Sequence, residues 1–140
     1  MFKDFDIKPF KKKKPPVDSG YTTRTEINEL KKIPLNKKFV KDYDNIESAF
    51  AKTAKEQGVK DYDKNIAAKL IKESAPVILE LKKYHNRKRP YELDKKLSAF
   101  AKTGENISYS RRVARAHYKS DSKTGEDLGN SMFNFIKNKI

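Results

Sequence analysis

The stretch 63–84, DKNIAAKLIKESAPVILELKKY, places the strongest constraint on how this chain can fold. Ile66, Leu70, Val77, Ile78, Leu81 and Tyr84 recur at helical spacing, and Asp61 or Asp63 can cap the start. A long helix with one apolar face must bury that face against other elements. Pro76 lies inside it and is expected to kink it or split it in two.

The rest of the chain offers helical partners. In 21–34, Ile27, Leu30 and Ile33 indicate a short amphipathic helix or an extended arm, with Thr25 and Glu26 near its start and Pro34 at its end. In 42–57, Ile46, Phe50 and Ala54 repeat at four-residue spacing beside Ala49. Asp42 or Asp44 can cap that helix, and Gly58 suits a left-handed end. Leu93, Leu97 and Phe100 would form a short helical face closed by Gly104. A further helix is expected over 105–118, with Ile107, Val113 and Ala114 inward. The last runs from about 121 to 139 on Leu128, Met132, Phe135 and Ile136, with Gly125 and Gly129 allowing close packing. No strand-type alternation and no internal repeat occurs. The expected class is all-α, a compact helical bundle over 21–140 preceded by an irregular basic arm over 1–20.

That arm mixes Phe2, Phe5 and Phe10 with a lysine run at 11–14 and Pro15-Pro16. It reads as a solvated arm that packs an aromatic or two on the body. The whole chain has 140 residues, enough for one domain. Its 36% hydrophobic and 37% charged residues limit the core, so a homo-oligomer would help it. Absence of cysteine rules out disulfides and thiolate metal sites. No apolar run is long enough for a membrane helix and no signal h-region follows the N-terminus, so the expected location is cytoplasmic. The net charge of +14 favours polyanionic partners: nucleic acid, acidic lipid or phosphorylated small molecules.

Two motifs give that charge a chemical direction. Lys82 is followed after six residues by Arg89-Pro90, and Ser110-Arg111 is followed after five by His117 and then Asp121. Arginine forks and a lysine point charge suit phosphoryl oxygens. A histidine held in one tautomer by a carboxylate can attack phosphorus. The spacings K-x6-RP and S-R-x5-H-x3-D resemble the superfamily of type 2 phosphatidic acid phosphatases, class A acid phosphatases and vanadium haloperoxidases. The likeness covers roughly 40–140 and lies nearer the soluble members.

The resemblance implies a shortened acid phosphatase core. Lys82, Arg89 and Arg111 would bind phosphate, His117 would be the nucleophile and Asp121 its orienting partner; Ser110 receives no chemical role. It implies no metal or cofactor, with vanadate as a possible phosphate mimic. The family's central P-S-G-H element is absent, since the 19 residues between the motifs contain no histidine. Loss of the general acid it carries costs ~10²–10⁴ in rate. His85, three residues after Lys82, reads as a packing or surface histidine rather than a substitute acid. Arg87, Lys88, Arg112 and Arg115 read as a solvated basic face, and Tyr84 and Tyr118 as packing residues. The expected function is hydrolysis of phosphomonoesters through a phosphohistidine, impaired by the missing acid. The alternatives are an inactive phosphate-binding or structural relative, and a nucleic-acid binder using the basic arm.

Overall fold

A computed structural model describes residues 1–34, 36–43, 45–94, 97, 112 and 117–139. The described residues form helices and contain no strand, as the all-α reading expects. In chain order the helices are α1 (Lys8–Lys12), α2 (Tyr21–Lys32), α3 (Lys37–Asp42), α4 (Ile46–Glu56), α5 (Lys64–His85), α6 (Pro90–Leu93) and α7 (Lys119–Ile136).

Helix α5 begins where Asp63 Oδ1 accepts the amide protons of Asn65 (2.7 Å) and Ile66 (3.1 Å). It ends at Asn86, whose φ of 44° is left-handed and whose N–H donates to the Lys82 carbonyl. Pro76 does not divide it: the helix is continuous from Lys64 to His85. Proline removes one backbone donor, and exposed surroundings at Lys72 and Pro76 let water reach the carbonyl left over. The apolar face is narrower than the spacing suggests. Leu81 is buried, and Leu70 and Val77 pack beside it, whereas Ile66, Ile78 and Tyr84 are exposed.

The main core joins the two ends of the chain. Phe2, Leu81, Leu128, Met132 and Ile136 form one buried cluster, with Phe5, Ile7, Phe10 and Phe135 packed against it. The Phe5 ring meets Phe135 edge-on at 5.7 Å and stacks with Phe10 at 6.4 Å. The basic arm therefore contributes more than an aromatic or two: it supplies part of the core. Polar clasps hold it down. Lys11 pairs with Glu80, Lys13 with Asp127 at 3.1 Å, and His85 Nε2 donates to the Phe10 carbonyl at 3.0 Å. That last bond gives His85 the packing role expected of it.

Helix α7 buries Leu128, Met132 and Ile136, a stripe worth roughly 1.5–3 kcal/mol per side chain. Among the described residues Gly125 and Gly129 do not serve close packing: a Cβ on either would meet none of them within 4 Å. A second cluster holds Ile27, Leu97 and Tyr118, with Tyr91 and Leu93 at its edge.

The helix expected over 42–57 is α4, over Ile46–Glu56, and a separate short helix not expected from the sequence, α3, precedes it. Asn36 caps α3 by accepting from the Phe39 amide (2.9 Å), and Asn45 caps α4 by accepting from the Ser48 amide (2.9 Å). Two strong caps close together favour two short helices over one. Only Ala49 of the expected α4 face is buried, and Phe50 is 54% exposed. Gly58 takes the expected left-handed backbone, with φ of 69°. The helix expected over 105–118, Phe100, Gly104 and the possible cap Asp44 lie outside the described residues.

If the arm belongs to the core, Phe2→Ala should destabilise the fold by about 3 kcal/mol, as for a buried aromatic. Urea denaturation followed by circular dichroism measures this. A loss within ~0.5 kcal/mol would show that the arm is only draped on the surface.

Candidate functional site

The two sequence motifs meet through a residue that neither includes among its fixed positions. Arg87 lies in the short loop between α5 and α6, five residues after Lys82 and two before Arg89. Its side chain is 8% exposed, so the expectation of a solvated basic residue is corrected here. Arg87 Nη1 donates to Asp121 Oδ1 and Ser120 Oγ, both at 2.8 Å. Nη2 donates to Glu26 Oε2 and Thr23 Oγ1, both at 3.2 Å. The guanidinium also lies over the Tyr118 ring, 3.8 Å from its centroid.

The acceptors are themselves fixed. Glu26 reaches from α2 to the start of α7, where Oε1 accepts from the Ser120 amide at 2.6 Å and Oε2 from its hydroxyl at 2.8 Å. Asp121 Oδ2 accepts from the Tyr118 amide at 3.1 Å, which caps α7 and starts it earlier than the sequence suggests. The Thr23 hydroxyl donates to the Val17 carbonyl at 2.7 Å and so ties in the arm. Two carboxylates thus face one guanidinium, and the positive end of the α7 dipole supplies further compensation. Both Nη groups of Arg87 are bonded to acceptors within the protein, while its buried Nε has no partner among the described residues.

Tyr118 completes the cluster. It is fully buried, as a packing residue should be, yet its hydroxyl finds no hydrogen-bond partner among the described residues. Burial pushes its pKa up to about 12, against the opposing pull of Arg87.

The residues proposed for phosphate chemistry lie close to this cluster in sequence. Lys82 is half-buried on the last turn of α5. Arg89 is half-buried at the entry to α6, where its amide donates to Glu92. His117 is half-buried in a bend just before α7. Being outside the helix, it does not share a helical face with Asp121. Among the described residues no hydrogen bond joins His117 to Asp121, whose carboxylate serves Arg87 and the Tyr118 amide. Arg111 and Ser110 lie outside the described residues. A surface hollow of about 510 Å³ opens where the arm crosses the end of α5, lined in part by Lys14, His85 and Arg87. Lys82, Arg89 and His117 do not line it.

Sequence reasoning missed Arg87 and Glu26. A signal for Glu26 exists: it falls among Thr23, Ile27 and Leu30, on the buried face of α2, and a buried acid requires a cation. Among the described residues no group of acids and histidines is arranged to hold a metal ion. Nor is any described helix long and apolar enough to cross a membrane. Comparison with known proteins gave no match, whether to a family model, a curated protein or a solved structure.

Two outcomes test this geometry. Arg87→Ala leaves Glu26 buried without its cation and should cost roughly 3–5 kcal/mol in urea denaturation. Tyr118 has a folded pKa raised above its unfolded value, so the fold holds its proton more tightly. The stability it contributes is whole below pH ~10 and lost as pH rises toward ~12. Tyr118→Phe should therefore flatten the alkaline limb of a stability–pH curve, with neutral stability unchanged or raised by up to ~1 kcal/mol. An unaltered alkaline limb would contradict the buried hydroxyl.

Proposed function

We propose that this chain is a phosphatase-like protein that binds phosphoryl groups through Lys82, Arg89 and Arg111. In this reading His117 attacks only those esters whose leaving group needs no proton. The supporting observation is the link through Arg87. It fastens the loop between Lys82 and Arg89 to Ser120 and Asp121, which directly follow the His117–Tyr118 bend. The motif spacings and the net charge of +14 agree with an anionic substrate.

The bond-making balances without a general acid only for some substrates. The imidazole Nε2 lone pair forms the N–P bond as the P–O bond to the leaving group breaks. An aryl oxide departs as a stable anion, whereas an alkyl oxide must be protonated as it leaves. Water then hydrolyses the phosphohistidine. Aryl phosphate turnover should exceed alkyl phosphate turnover by at least ~10²-fold. His117→Ala should abolish both turnover and an acid-labile phosphoenzyme. Equal rates on the two ester classes would contradict the absence of an acid.

A specific observation favours a second reading, an inactive phosphate-binding relative. Asp121 gives its carboxylate to Arg87 and to the Tyr118 amide, bonds that serve the fold rather than a nucleophile. Vanadate binding without aryl turnover would select this reading. Absence of both would remove the phosphate site altogether.

A further inference from the structure

We propose that Arg87 is a positioning residue, which sets the placement of His117 relative to Lys82 and Arg89 and is itself held by Glu26. This inference rests on the phosphate-site reading for its functional consequence, while its geometric content stands on the cluster alone.

Lys82 and Arg89 approach through the last turn of α5 and the loop after it, with Arg87 between them in sequence. His117 is covalently joined to Tyr118, and Arg87 stacks on the Tyr118 ring at 3.8 Å. Arg87 also holds Ser120 and Asp121, on the far side of Tyr118, at 2.8 Å each. One planar group thus fixes the bend carrying His117 by three of its neighbours. Glu26 orients that plane from α2, which lies outside the part of the chain that resembles phosphatases. A planar fork with directed donors can do this, whereas an ammonium keeps the charge but not the plane. Displacement of a reacting group by about 1 Å costs about 10²-fold in rate.

The test uses the full chain and the variant Arg87→Lys, with vanadate as the probe. Vanadate affinity is read by ⁵¹V NMR, and the His117 ring resonances by ¹H–¹³C NMR at fixed pH. The expected result is native helicity, vanadate affinity reduced at least tenfold and displaced His117 resonances. A role confined to stability would lower the melting temperature and leave the affinity of the folded protein and the His117 resonances unchanged. That outcome overturns the proposal. Should the wild-type chain bind no vanadate while Arg87→Lys still displaces the His117 resonances, the phosphate reading fails and the positioning role stands. If Arg87→Lys does not fold, Glu26→Gln, which keeps the shape and removes one charge, is judged by the same two readouts.

Discussion

A single buried guanidinium organises this protein. Burying a charge in an apolar interior is costly unless paired charges and hydrogen bonds replace the lost water. Arg87 meets that condition with Glu26, Asp121, Ser120 and Thr23, contributed by α2 and the start of α7. Such a cluster adds little net stability over a well-packed apolar one, and its contribution lies in specificity. Directed bonds allow only one way of docking α2, the α5–α6 loop and α7. Greasy contacts among Ile27, Leu97 and Tyr118 would tolerate several.

The cluster and the main core divide the work between them. The core, built on Phe2, Leu81, Leu128, Met132 and Ile136, supplies the apolar burial. The polar cluster lies at the opposite end of α7's buried stripe, at the helix start, and sets the angle at which that helix enters. Helix α5 links the two, since Leu81 belongs to the core and the loop after His85 carries Arg87. The lysine run is also drawn into the body, with Lys11 and Lys13 spent on Glu80 and Asp127. This reduces the charge that the arm could offer to a polyanion.

Much of the architecture could be read from the residues. Helices α2, α5 and α7 follow from apolar spacing, because each has a stripe long enough for periodicity to outweigh local noise. The boundary between α3 and α4 was not legible. Asn45 supplies the cap expected of Asp42 or Asp44, and α3, capped by Asn36, is too short for its apolar spacing to stand out. The exposed Phe50 and Ile78 show the limit of spacing arguments: periodicity identifies a face but not whether anything covers it. At the candidate site, the residue that joins the two segments was misjudged, since Arg87 read as a solvated cation. In a chain with 33 basic residues, one arginine looks like any other until its partners are seen. Nor could spacing show the bonds of Asp121 to Arg87 and to the Tyr118 amide.

The union of Phe2 with Leu128, Met132 and Ile136 has a temporal meaning as well. Contacts so far apart in sequence exact a large loop-closure entropy and form late. During synthesis at ~5–20 residues per second, Phe2, Phe5 and Phe10 wait several seconds for α7 to be made. Through that interval an aromatic, cationic segment is presented to the cell without its cover. The lysine run beside it keeps such a segment soluble while it waits. Charge that looks like an address for a polyanion in the finished protein can thus act earlier, as protection for a core assembled only when α7 has been made.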